Sequence, residues 1–275
     1  MRLRLLGTGT SFGVPQIGCA CPVCRSADPR DRRTRCGALI KTDTGQRILI
    51  DTPPELRLQL VAAQLTSLDA VLFTHEHADH IHGIDDLRAF TMRRAEPLRL
   101  YGDANTLTTL RARFPYIVDA SMKVVAGTSK PEGQLVELTA GVPCDIAGTT
   151  VVPFAVPHGH HPVLGFRIGD IGYITDAKTV PAAARAALAG VRVLILNALW
   201  RRPHPTHLSI DEAVAVAQDI GAEQTWLTHL THDHAHAELA ASLPAGIQPG
   251  FDGLDVTLTP QGVQVTPSPT WHTPA

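Results

Sequence analysis

Short apolar runs recur along the whole chain, and their alternation or brevity marks them as strands. The clearest are LRLLG at 3–7, RILIDT at 47–52, LDAVLFTH at 68–75, TVVPFAV at 150–156, GYITD at 172–176, VRVLILNA at 191–198 and QTWLTH at 224–229. Between several of them the spacing changes to the helical period, at 84–94, 104–114 and 181–188, the last opening on a proline suited to a helix start. The strongest helix signal is SIDEAVAVAQDIG, where Ser209 and Glu212 are spaced for a capping box and Gly221 for a C-terminal stop. Strands come both in adjoining groups and in alternation with helices, which predicts a mixed α/β sandwich rather than a strictly alternating parallel fold. No repeat, long charge run or linker divides the chain. Residues 1–265 are therefore expected to form one domain, and 266–275 (TPSPTWHTPA) a loosely ordered tail with a solvated His272.

Composition narrows the context. The 275 residues are 44% hydrophobic and 18% charged, proportions of a soluble enzyme rather than a disordered chain. A net charge of −2 supplies no basic field, so nucleic acid is possible as a partner but not favoured. The opening MRLRLLGTGT is too soon broken by glycines for a signal peptide, and no stretch approaches the ~20 apolar residues of a membrane span. A cytoplasmic location is expected, where thiols stay reduced and clustered cysteines more often bind metal or react than pair.

Residues 74–83, THEHADHIHG, follow the apolar run LDAVLF directly. Burying four imidazoles and two carboxylates without partners would cost several kcal/mol. His75 and His77 share a face if the strand continues through them. Asp79 and His80 then open a helix and point to a neighbouring position, so the spacing H-x-H-x-D-H suits two metal ions side by side. Further ligands should stand at other strand ends, and His158, Asp176 and His229 each follow an apolar run and precede a break.

THEHADHIHG together with His158, Asp176 and His229 resembles the metallo-β-lactamase fold of binuclear metallohydrolases, over nearly the whole chain. The resemblance implies an αβ/βα sandwich of two mixed sheets flanked by helices. It implies that His75, His77 and His158 hold one divalent ion, that Asp79, His80 and His229 hold the other, and that Asp176 bridges them. Asp51 in ILIDT matches the aspartate that supports the metal loop. Two such cations about 3.5–4 Å apart, Mn²⁺ or Zn²⁺, would acidify a shared water and neutralise charge on the oxygen under attack. That chemistry serves phosphodiesters, lactones and thioesters alike.

Features outside the common motif narrow the substrate. LGTGTSFGVP at 6–15 resembles the Gly-rich start of the phosphodiesterase branch, which includes transfer-RNA 3′-processing endonucleases and PhnP-like cyclic phosphodiesterases. That branch places a histidine proposed as general acid where His207 stands, just before the capped helix. It assigns Asp79 to the catalytic centre too. For His160 and His161 substrate contact competes with plain surface exposure. His82 reads as a helix face beside the site, and His204 has no assigned role.

Cys19, Cys21 and Cys24 in GCACPVC could form a disulfide, a reactive thiol, an iron–sulfur site or part of a zinc site. PhnP-like proteins carry such a C-x-C-x₂-C cluster, and there it binds one structural Zn²⁺ with a histidine three positions past the last active-site ligand. Here that is His232, and three thiolates with one imidazole suit closed tetrahedral zinc. Cys36 and Cys144 are expected as free thiols.

The expected activity is hydrolysis of a small, cyclic, ribosyl-type phosphodiester, by a possible homodimer with no membrane partner. Three alternatives stand beside it: a transfer-RNA 3′-processing endonuclease, a PqqB-like coenzyme-pathway protein and an inactive metal-binding scaffold.

Overall fold

Along residues 2–7 Leu3 and Leu5 turn to one face and enter a core shared by two sheets, while Leu6 joins the cluster on the other face. The same period of two sends Ile48 and Ile50 inward and Leu49 outward, and splits Val193 and Ile195 from Leu194 and Leu196. These three strands are therefore buried on both faces, as a layered α/β architecture requires of its central strands. The computed structural model describes residues 1–267, apart from Arg93, Lys123, Val124 and Ala126.

Strands β1 (Arg2–Gly7), β2 (Gly37–Lys41), β3 (Arg47–Ile50), β4 (Ala70–Leu72), β5 (Leu98–Gly102) and β6 (Gly133–Glu137) run in sequence across the first sheet. The second holds β7 (Cys144–Ile146), β8 (Thr149–His158), β9 (His161–Ile168), β10 (Ile171–Ile174), β11 (Val193–Asn197), β12 (Gln224–Thr228) and β13 (Ile247–Pro249). The chain then returns through β14 (Leu254–Thr259) and β15 (Gly262–Pro267) to the β1 edge of the first sheet. Both sheets are mixed: β3 to β6 and β10 to β13 pair in parallel, the rest antiparallel.

Helices α1 (Leu56–Ala62), α2 (Ala78–Ile81), α3 (Arg88–Thr91), α4 (Ala104–Arg113) and α5 (Pro115–Val118) cover the outer face of the first sheet with Leu56, Ile81, Phe90, Leu110 and Ile117. On the second sheet α6 (Ala182–Ala187), α7 (Ile210–Ile220) and α8 (His236–Ser242) play this part with Ala184, Ala213, Val216 and Leu239. The expected sandwich of two mixed sheets flanked by helices is the fold observed. At α7 the Ser209 hydroxyl accepts from the Glu212 N–H, the Glu212 carboxylate accepts from the Ser209 N–H, and Gly221 is left-handed at φ 71°. Among the described residues no helix is long and apolar enough to cross a membrane.

Three boundaries differ from the sequence reading. The helix expected at 84–94 splits into a 3₁₀ turn, Ile84–Leu87, followed by α3. Its buried apolar residues Ile84, Leu87 and Phe90 are three apart, a spacing that suits the tighter turn. Thr266 and Pro267, assigned to the tail, complete β15 opposite Asp255 and Leu254. Residues 268–275, including His272, lie outside the described residues. Finally, the strand expected to carry His75 stops at Leu72, because the next backbone donors leave the β3 register: the Thr74 N–H donates to the Asp51 carboxylate, 2.8 Å away.

Candidate metal centre

Three of the residues singled out by sequence stand just past strand ends in a backbone conformation that ordinary L-residues avoid. Asp51 follows β3, Asp176 follows β10 and His229 follows β12, with φ of 61°, 55° and 61°. Each such residue costs about 1–2 kcal/mol and persists only where its surroundings impose it. At Asp176 the cause is visible: buried Asn197 at the end of β11 accepts from the Ala177 N–H and donates to the Ala177 carbonyl, both at 3.0 Å. β8 supplies His158 as its last residue. His75 lies in the turn before α2, His77 caps that helix, and Asp79 and His80 sit on it.

These elements bring His75, His77, Asp79, His158, Asp176 and His229 to one cleft of about 410 Å³, with His80 and Asp51 fully buried beside it. Ligand-type atoms of His75, His77, His158 and Asp176 lie within 4.8 Å of one another, as do those of Asp79, His80 and His229. Asp176 reaches both groups: Oδ2 is 3.5 Å from His75 Nε2 and 3.6 Å from His80 Nε2, and Oδ1 is 3.1 Å from His229 Nε2. The far nitrogens of three rings are occupied. Nδ1 of His75 meets the Thr74 hydroxyl at 3.0 Å, Nδ1 of His80 the Asp51 carboxylate at 2.7 Å, and Nδ1 of His158 the Thr206 carbonyl at 3.1 Å. Such bonds fix ring orientation and leave Nε2 for a ligand.

The residues present fit divalent cations. His75 Nε2, His80 Nε2 and both ring nitrogens of His229 are buried without a hydrogen-bond partner. Orphaned buried nitrogens are costly unless something completes them. Mixed imidazole and carboxylate donors suit Zn²⁺, Mn²⁺ or Fe²⁺. Electrostatics agree: burial pushes the Asp176 carboxyl up, but His229, His80 and His75 outweigh it and hold it well below the usual carboxylate range. Asp79 is likewise held low, burial being overcome by His80 and His229. Asp79 and Asp176 therefore stay charged, whereas burial pushes the Asp51 carboxyl up.

His207 lies in the same cleft, its ring centroid 4.8 Å from those of both His158 and His229. Burial, then the neighbouring His229, pushes its imidazole down to about 3. His160 and His161, at the β8–β9 turn, are exposed and line the mouth. His204 sits behind His207 at 5.0 Å between centroids, its Nδ1 accepting from Thr206. His82 is outside the cleft lining, exposed beside Phe114. Cys36 is a free thiol buried near the centre, donating to the Gly9 carbonyl at 3.2 Å and pushed up by burial to about 12. Cys144 is also free, in β7. Thr74 and Asn197 escaped the sequence reading. A lone Asn ending the apolar run VLIL is the signal that could have found the latter.

The second cluster is equally compact. Sγ of Cys19, Cys21 and Cys24 lie 3.3, 3.3 and 3.5 Å from Nδ1 of His232. Tetrahedral zinc with bonds of about 2.3 Å to sulfur and 2.0–2.1 Å to nitrogen would separate such donors by roughly 3.6 Å. The Cys24 N–H donates to Cys21 Sγ and the Gln16 N–H to Cys24 Sγ, and the first of these leads the fall of the Cys21 thiol to about 6. None of the cysteines forms a disulfide.

Two mixed sheets packed face to face, with this imidazole and carboxylate cluster at their common end, define a metallohydrolase of the metallo-β-lactamase fold. Residues 46–230 match the beta-lactamase superfamily domain, and the chain belongs to that family. It is similar to the crystal structure of a diphosphatase of the PhnP family, with 36% identity, a TM-score of 0.86, and 94% of this chain and 98% of that one covered. It is 30% identical to ribonuclease Z of Mycobacterium sp. (strain KMS), over 98% of this chain and 99% of that protein. It is 42% identical to an octanoyltransferase of Porphyromonas gingivalis over 96% of its own length, but spans only 53% of that relative.

Proposed function

We propose that the protein is a metal-dependent phosphodiesterase acting on a small diester. What supports this reading best is His207, an imidazole in the cleft beyond the seven-residue set that unites the two metal-ligand groups. Asp176, His207 and His229 also come within ligand range of one another. Since Asp176 and His229 each belong to one of the other groups, we assign His207 to the leaving oxygen. An alkoxide is a poor leaving group, and a placed imidazole contributes roughly 10²–10⁴-fold by protonating it. In the free protein burial holds His207 neutral; a bound phosphate anion beside it supplies the charge that favours its protonated form.

Bound divalent ions would supply Lewis acidity and a water acidified to near neutrality. In the proposed assignment His75, His77 and His158 hold one ion, Asp79, His80 and His229 the other, and Asp176 both, while Asp51 orients His80 from behind. His160 and His161 border the mouth, where the substrate's anionic oxygens enter. The PhnP-family neighbour, a diphosphatase, supports phosphoester chemistry, and a cyclic ribosyl phosphate is the substrate that the likeness suggests. The ribonuclease Z relative keeps transfer-RNA processing as the second reading.

The test is turnover of bis(p-nitrophenyl) phosphate, a ribosyl cyclic phosphate and precursor transfer RNA by Mn²⁺- and Zn²⁺-loaded protein. Hydrolysis of the small diesters with little RNA cleavage is expected, and inertness toward all of them would sink the proposal. His207→Ala should slow diesters with alkoxide leaving groups at least 100-fold and p-nitrophenyl esters far less; equal losses would remove His207 from the acid role.

A further inference from the structure

Ser11 is shared by two clefts. On one side lies the metal cleft. On the other the Gly-rich loop borders a second cleft of about 600 Å³, larger than the first, which the reaction as described does not use. Clefts of this size suit organic ligands.

Its lining carries features without an intramolecular use. Phe12 is 65% exposed, an aromatic face left in water at the lip. Arg32 is exposed and has no acidic partner among the described residues. Arg35 is bound to Glu55 through Nη1 alone; its Nε, and Oε2 of Glu55, are buried without hydrogen-bond partners. The remaining guanidinium, Arg33, is already engaged by Asp31 and by the Thr231 and His234 carbonyls. One open aromatic ring and two guanidiniums with unused donors match a ligand that is flat and apolar at one end and anionic at the other.

We propose that this cleft binds the retained arm of an extended phosphodiester: a nucleoside or similar aryl group stacked on Phe12, with a second phosphate carried by that arm held by Arg32 and Arg35. The proposal rests on the phosphodiesterase reading and names the substrate class of that site. A net charge of −2 argues for a single nucleotide unit rather than a polymer, which would need a longer basic track.

Two esters with the same leaving group isolate the cleft: thymidine 3′-phosphate 5′-(p-nitrophenyl phosphate), whose nucleoside arm carries a second phosphate, and methyl p-nitrophenyl phosphate, assayed with the metal-loaded full chain. The wild type should prefer the nucleoside ester in kcat/KM on the order of tenfold, the scale of one base stacked on an aromatic ring. Phe12→Ala and Arg32→Ala should each reduce that preference several-fold, and Phe12→Trp should keep it. No preference in the wild type, or a preference untouched by both Ala variants, overturns the proposal. If neither ester turns over, the phosphodiesterase reading fails. Calorimetric titration with thymidine 5′-monophosphate then still decides the cleft, since binding weakened in Phe12→Ala supports it and equal affinity rejects it.

Discussion

Both oxygens of the Asp51 carboxylate are spent inside the protein. Oδ1 accepts from the Thr74 N–H, and Oδ2 from the Thr74 hydroxyl and His80 Nδ1. Asp51 therefore orients His80 and is not itself free for a metal, a role that ILIDT in the sequence already suggested. His236 is the opposite case, lost among the histidines of THDHAHA. The structure buries its ring against Phe251, with Nδ1 unpartnered. Burial, then Arg30 and Arg33, pushes it down from 6.5 to about 4. Above pH 6.5 both folded and unfolded states are neutral there. As pH falls toward 4, the unfolded chain takes a proton that the folded one refuses, so stability drops by up to about 3 kcal/mol and then levels. Urea midpoints measured from pH 7 to 4 should therefore decline less steeply in His236→Phe than in the wild type, and parallel declines would contradict this account.

At the scale of elements, sequence marked the strands whose ends carry chemistry because they are apolar on both faces. β2, β5, β9, β13, β14 and β15 were not singled out; among the other unmarked strands, β6 is half exposed and β7 has three residues, so neither shows a clean period. Helix α7 was legible from its caps and α2 from the placement of Asp79 and His80 after the strand; the four-residue α5 is too short to show a repeat. Least legible was the loop from His229 to His236. Several ties fasten it to the N-terminal region: first, His232 meets the three thiols; Arg33, fully buried, donates to the Thr231 carbonyl at 2.6 Å and pairs with Asp31; and the His236 N–H donates to Asp31. The cysteine cluster itself was visible, but only resemblance connected it to a histidine more than two hundred residues away. With zinc as the first tie, Cys21→Ser should remove about one chelation-resistant zinc per chain and lower the melting temperature, while far-UV circular dichroism stays native. An unchanged zinc count would refute the site.

The metal centre also has a consequence for the whole molecule, because its ligands come from both halves of the sandwich. His75, His77, Asp79 and His80 follow β4 of the first sheet, whereas His158, Asp176 and His229 belong to strand ends of the second. The sheets already share a core of residues such as Ile50, Phe166, Tyr173 and Trp226. Ions held as proposed would add a staple at the end where that core gives way to the buried imidazoles and carboxylates. Folding around them also relieves the orphaned nitrogens of His75, His80 and His229. An ion that binds only the folded state stabilises it by RT ln(1 + [L]/Kd), about 4 kcal/mol at a thousandfold excess over Kd. Stripping the active-site metals should therefore lower the melting temperature by several degrees and restore it on readdition of Mn²⁺ or Zn²⁺. Hydrogen exchange should quicken at 73–80 and 227–230 together, while the far ends of β3 and β11 stay protected. Faster exchange on only one of the two sheets would mean that the ions do not bridge them.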